Sequence, residues 1–178
     1  MQHNNIIFIG GIHGVGKGTI CQKITDQFSD LVHISASTLL KWEEISTPEN
    51  KLVQNFDSTQ DRLIKGLKAT IEKDKAYLLD GHFCLLNKEG IPEKIEEETF
   101  QLINPKVIVV VVEDVNLIYQ GLANRDSIKY NTEILALMQK MEADHAQNIA
   151  SKLEVPFIEI SRNEYSKLTE YLLSEIKK

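Results

Sequence analysis

Gly11-Ile12-His13-Gly14-Val15-Gly16-Lys17-Gly18-Thr19 follows the apolar run Ile6-Ile7-Phe8-Ile9 and leads into a segment of helical spacing. Four glycines in eight residues remove the Cβ atoms that would block a close approach, so consecutive backbone N–H groups can turn inward around a polyphosphate. A helix beginning near Lys17 adds unpaired N–H groups and the positive end of its dipole. Lys17 brings a mobile charge to the outer phosphates, and the Thr19 hydroxyl is placed to donate to a phosphate oxygen. Strand, loop, lysine and helix thus stand in the order that a phosphate-binding loop requires, which a simple glycine-rich turn does not need. The strict pattern has Ser or Thr directly after the lysine to ligate Mg²⁺. Here Gly18 takes that place and the hydroxyl comes one residue later, so Mg²⁺ is expected to be held largely through water and by another residue.

Outward from this loop the chain alternates between strand-like and helix-like stretches. Short β-branched or aromatic runs at Asn5 to Ile9, Leu31 to Ile34, Ala76 to Leu79, Val107 to Val112 and Phe157 to Ile160 predict five strands. Between them, helices are predicted from Lys17 to Phe28, from Asp57 to Lys73 (with Leu63, Ile64, Leu67 and Ile71 inward), and from Asp114 to Asn124 (with Leu117, Ile118 and Leu122 inward). A long helix from Glu133 to Leu153 is expected to bury Ile134, Leu137, Met138, Met141 and Ile149, and Tyr165 to Ile176 closes the chain. Thr47 to Asn55 reads as a loop or corner. Gly90-Ile91-Pro92 reads as the start of a further helix, with the acidic run Glu93 to Glu98 near its N-terminus as a solvated face. Such alternation implies crossover connections and a doubly wound parallel sheet.

With 178 residues and no second phosphate loop, the chain is expected to form one domain, residues 1–178. Its net charge of −6 argues against an extended nucleic-acid surface and favours small anionic ligands. Two cysteines, Cys21 and Cys84, are too few for a disulfide framework and lack metal-ligand spacing, so they read as buried or half-buried thiols in a reducing compartment. Neither a basic leader nor an apolar stretch of about 18 residues is present, and the expectation is a cytoplasmic chain without a membrane partner.

Ligands of doubly wound sheets bind beyond the carboxyl ends of the strands. The phosphate loop, the hydroxyl cluster Ser35 to Thr38, Asp80-Gly81-His82 and the segment after Val112 all follow strands, so one rim should collect them. A carboxylate ending the strand beside the phosphate loop can hold Mg²⁺ through its waters, which makes Asp80 the metal partner of Lys17; Asp-Gly as a plain turn is the alternative.

The loop resembles the GxxGxGKGT loop of nucleoside monophosphate kinases, adenylate kinases above all, including their Gly between Lys and Thr. His33-Ile34-Ser35-Ala36-Ser37-Thr38-Leu39-Leu40-Lys41 resembles the family's HISTGDLLR acceptor segment. Leu78-Leu79-Asp80-Gly81-His82-Phe83 is similar to its LLDGFPR motif, or to the DxH form found in the archaeal and nuclear branch. The resemblance implies a P-loop NTPase three-layer fold, α/β, with a parallel sheet of about five strands and helices on both faces. It also implies transfer of the γ-phosphoryl group of ATP, with Mg²⁺, to a nucleotide or another small acceptor. Gly11, His13, Gly14, Val15, Gly16, Lys17, Gly18 and Thr19 would bind ATP, and Asp80 and Thr19 the metal. Lys17, Asp80 and Arg125, which matches a lid arginine, would act in catalysis, and Ser35, Ser37, Thr38, Lys41 and His82 would face the acceptor. The lid itself is short, around residues 125–131. Departures from the family are Ala36 for its acceptor-binding Thr, Lys41 for its acceptor Arg, Cys84 for the Arg closing the DGFPR motif and Gly121 for the first lid Arg. A lysine does not reproduce bidentate phosphate binding, so AMP use is in question. An ATPase without a small acceptor and a nucleotide-binding regulatory module remain the alternatives.

Overall fold

The structure, a computed structural model, describes residues 5–40, 52–53, 56–126 and 130–176. In chain order the elements are β1 (Ile6–Gly10), α1 (Lys17–Gln27), β2 (Leu31–Ser35), α2 (Ala36–Leu40), β3 (Leu52–Val53), α3 (Phe56–Thr70), β4 (Ala76–Asp80), β5 (Cys84–Asn87), β6 (Pro92–Lys94), α4 (Glu97–Ile103), β7 (Val107–Val111), α5 (Val115–Asp126), α6 (Thr132–Leu153), β8 (Phe157–Ile160) and α7 (Ser166–Ile176). Five strands form a parallel sheet in the order β2-β4-β1-β7-β8, with Phe8 of β1 opposite Leu79 on one side and Ile108 on the other.

The sheet is covered on both faces because successive residues of its central strands point to opposite sides. Ile7, Ile9, Val107, Val109 and Val111 pack with Ile20 and Ile24 of α1, Ile118 and Leu122 of α5, and Leu168 and Leu172 of α7. Ile6, Phe8, Ile108 and Val110 pack with Leu63 and Leu67 of α3, Phe100 and Ile103 of α4, and Ala146 and Ile149 of α6. The three-layer α/β fold expected from the sequence is therefore present. On the second face the rings of Phe8, Phe83 and Phe100 meet at centroid separations of 5.0, 5.3 and 5.2 Å, and pairs of this kind add about 0.5–1.5 kcal/mol each beyond area burial.

Several expectations are corrected. Gly90-Ile91-Pro92 does not open a helix. Asn87 Oδ1 accepts the N–H groups of Glu89 and Ile91, Gly90 takes φ 77°, and the chain turns back so that β6 pairs antiparallel with β5. The helix begins only at Glu97, inside the acidic run. Thr47 to Asn55, read as a loop, includes the short strand β3, which pairs with β5 in a three-stranded second sheet; the rest of that stretch lies outside the described residues. Helix α3 stops at Thr70, three residues short of the expected Lys73, and Ile71 packs from beyond its end. Leu117 is 48% exposed, and on α6 Ile134 and Leu137 face solvent while Leu135, Met138, Glu142, His145 and Ile149 are buried.

Candidate functional site

The phosphate loop leaves β1 at Gly10 and enters α1 at Lys17, anchored by two apolar side chains, Ile12 and Val15, that point into the core. Gly14 has φ 80°, and a Cβ there would lie 2.6 Å from Leu122 Cγ. Gly16 has φ 107°, and its missing Cβ leaves room for Arg162, whose Nε would otherwise be 2.9 Å away. Both positions thus require glycine by backbone conformation and by space. Lys17 is 8% exposed, and its Nζ donates to the carbonyl oxygens of Gly11 (2.6 Å) and Ile12 (3.2 Å). The ammonium is therefore folded over its own loop, at the place where outer phosphates would sit.

Beside the loop opens a cavity of about 670 Å³. His13, Gly14, Gly16, Lys17, Gly18 and Thr19 line it from the loop; Ser35 and Ser37 from the β2–α2 junction; Asp80, Gly81 and His82 from the end of β4; and Gly121 and Arg125 from α5. Gly11 and Val15 lie buried beneath the loop and Thr38 is exposed, so none of these three lines the cavity. Lys41 and residues 127–129 of the expected lid lie outside the described residues, and Arg125 sits in the last turn of α5 with its side chain exposed. Asp80 Oδ2 is 2.7 Å from His33 Nε2, which orients the carboxylate, and the Ser35 and Ser37 hydroxyls are 2.7 Å apart. The rings of His13 and His82 lie against each other with centroids 4.2 Å apart. The floor is apolar, formed by Phe8, Leu40, Leu63, Leu85 and Phe100.

Asp80 and Thr19 present hard oxygen donors to the same cavity, a donor set that fits Mg²⁺ held partly through water. Cys21, His33 and Asp80 also bring one donor atom each within 4.8 Å of one another. The thiol there is fully buried, and burial, with the nearby Asp80 charge, pushes it up to about 12, so it stands as a neutral core group behind Asp80. Burial, followed by the Glu142 charge, pushes the Cys84 thiol up to about 12 as well. Because the thiolate is the reactive form, neither cysteine should be labelled by a thiol reagent in the folded protein, and both should be labelled on unfolding. Mass spectrometry of the alkylated chain checks this.

Two site residues escaped the reading of the sequence. Arg162, two residues beyond β8, also lines the cavity, and its Nη2 donates to the carbonyls of Gly14 (3.0 Å) and Val15 (3.4 Å). The rule that places ligands beyond strand ends, applied to Ile160, points to it. Glu142 is 1% exposed on α6, where its Oε2 accepts the Phe83 N–H (2.8 Å) and its Oε1 the Cys84 N–H (3.2 Å). Its signal was a carboxylate on an apolar stripe.

Burial pushes the Glu142 carboxyl up to about 7, against the pull of Lys17, the two N–H groups and His145. In the window from its ordinary 4.5 to about 7, the folded chain keeps a proton that the unfolded chain has lost. Stability from this group is therefore greatest below the window and falls as pH rises through it, by on the order of 3 kcal/mol in all. Urea midpoints measured at several pH values across the window should fall more steeply for the parent than for Glu142→Gln.

The fold and the loop together are those of a P-loop α/β domain. More particularly, the chain belongs to the AAA domain family, whose model matches residues 10–135. It is 33% identical over 92 residues to adenylate kinase isoenzyme 1 of Gallus gallus, covering 46% of this chain and 47% of that one. It is 30% identical over 99 residues to a uridylate kinase of Schizosaccharomyces pombe, covering 52% and 50%. The chain thus spans about half the length of the curated relatives it matches. Among solved structures, a gluconokinase from Sinorhizobium meliloti superposes with a TM-score of 0.57 at 11% identity, covering 98% of this chain and 99% of that one. The likeness is one of fold. The resemblance to adenylate kinases drawn from the motifs agrees with these relatives. Among the described residues, no helix is long and apolar enough to cross a membrane.

Proposed function

We propose that this chain transfers the γ-phosphoryl group of ATP to a nucleotide or another small acceptor. One observation supports this reading above the others: the phosphate loop and the Ser35, Ser37, Asp80, His82 and Arg125 wall face one cavity, so donor and acceptor can meet. The loop N–H groups and Lys17 bind and orient the outer phosphates, while Arg125 and Arg162 supply charge around them. Ser35 and Ser37 offer hydroxyls to the acceptor, and the apolar floor excludes water from the gap. Asp80 and Thr19 would hold Mg²⁺ through water, and the ion would supply charge neutralisation at the phosphates. The relatives named adenylate kinase and uridylate kinase carry nucleotide acceptors in their names, which supports a nucleotide here.

The test is a panel of nucleoside monophosphates and small hydroxyl compounds incubated with labelled ATP. The reading expects label in the acceptor and ADP release that rises with acceptor concentration. ADP release unaffected by every acceptor would favour the ATPase alternative, and ATP binding without turnover would favour a regulatory module.

A further inference from the structure

Glu142 is costly where it stands. A carboxylate 1% exposed on a helix face that buries Leu135, Met138, His145, Ala146, Ile149 and Ala150 beside it loses its hydration, and an apolar residue of similar volume would pack there without that penalty. What it does in return is local and specific. Its two oxygens take the N–H groups of Phe83 and Cys84, the residues that carry the chain from the end of β4 into β5. Its Oε1 lies 3.4 Å from His82 Nδ1, an electrostatic contact longer than a good hydrogen bond. One turn further along α6, His145 Nε2 is 2.7 Å from the Ile95 carbonyl; because a carbonyl only accepts, this nitrogen carries the proton. The Ile95 N–H in turn donates to the Phe83 carbonyl at 2.9 Å. One helix therefore grips the segment around Phe83 from two sides, while Gly81 N–H ties its start to Ile9 O at 3.0 Å.

The side chain carried by this held segment is His82, which lines the cavity and lies against His13 of the phosphate loop. The contacts thus run from the interior of α6, through Glu142 and His82, to His13 at the loop.

We propose that Glu142 is a positioning residue for phosphoryl transfer, fixing the Gly81–Cys84 turn so that His82 stands against His13 beside the transferring phosphate. The inference rests on the phosphotransferase reading above and goes beyond it by assigning a role to a residue that touches neither substrate. Its effect is exerted on the geometry of the reacting groups, so it should show in kcat and leave the KM for ATP within about twofold.

The experiment is a double-mutant cycle with Glu142→Gln and His82→Ala, assayed on the best acceptor from the panel, with melting curves for every variant. Gln offers one acceptor oxygen where two N–H groups need one each, so the turn loses a support. Each single variant is expected to lower kcat by about 10- to 100-fold, since small misplacements cost rates of that order. The double variant should be no slower than His82→Ala alone, within about twofold, because both act through one side chain. Multiplicative losses, or an unchanged kcat in Glu142→Gln, would overturn the proposal and leave Glu142 a structural group. If Glu142→Gln does not fold, Glu142→Asp carries the same cycle, keeping the carboxyl group and both its oxygens while withdrawing them by one methylene. A parent protein that phosphorylates no acceptor would instead strike at the phosphotransferase reading, so the two failures are told apart.

Discussion

In Lys17→Ala, kcat/KM for acceptor phosphorylation should fall by about 10³-fold with the fold intact. The argument begins with the resting contacts. Lys17 Nζ donates to the Gly11 and Ile12 carbonyls, so binding phosphate exchanges these bonds for stronger charge-assisted ones. The net gain in nucleotide affinity is therefore modest, on the order of 1.5–3 kcal/mol for a hydrogen bond to a charged group. Charge that develops during transfer is stabilised more, because a preorganised cation in a water-poor cavity acts without reorganisation, and loss of one such group costs about 10²–10³ in rate. The Gly11 and Ile12 carbonyls left behind are buried and lose this donor, so the melting temperature should fall by an amount worth about 1–3 kcal/mol while the chain still folds. Steady-state kinetics with circular dichroism separates the two effects. Normal turnover would remove the phosphate-loop assignment.

Asp80→Asn is the second large effect expected: about 10²-fold lower kcat and a higher half-saturating Mg²⁺, with ATP binding in the absence of Mg²⁺ nearly unchanged. The substitution is close to isosteric, and Asn can still bond to His33, which holds the Asp80 carboxylate at 2.7 Å. What is lost is charge. Gly18 has no side chain to hold the metal, and the remaining oxygen donor on that side, Thr19, is neutral. The loop N–H groups and Lys17 grip phosphate without the carboxylate, which is why binding and turnover should separate. Titrating Mg²⁺ against rate is the measurement, and a profile identical to the parent's would make Asp80 a turn residue.

The central sheet was legible because its inner strands β1, β4 and β7 are short apolar runs with glycine or polar residues at their ends, and burial on both faces leaves little alternation there to confuse the reading. The second sheet was not. Its strands β3, β5 and β6 have only two to four residues each, and Pro92 beside an acidic run imitates a helix start. What overrode this local signal was hairpin pairing with the strand just before it, Cys84 opposite Lys94. On α6 the apolar count favoured the stripe through Ile134 and Leu137, but the helix turns Glu142 and His145 inward to serve backbone groups of β5 and its neighbours. Hydrophobic periodicity does not register a buried residue chosen for its hydrogen bonds. The phosphate loop, Asp80 and His82 could be read locally, since backbone geometry there is written in adjacent residues. Arg162 and Glu142 left only a position after a strand and a carboxylate on an apolar stripe, because their partners are fixed only once distant segments meet.

That distance bears on when the molecule becomes competent. Arg162 closes on the carbonyls of Gly14 and Val15 across 148 and 147 residues of chain. During synthesis the glycine loop emerges early, flanked by β1 and α1, yet the guanidinium that steadies it arrives only with the segment beyond β8. A growing chain would therefore hold a nucleotide poorly until β8 has docked beside β7, and ligand binding would then select for chains that extend past Arg162 over shorter ones.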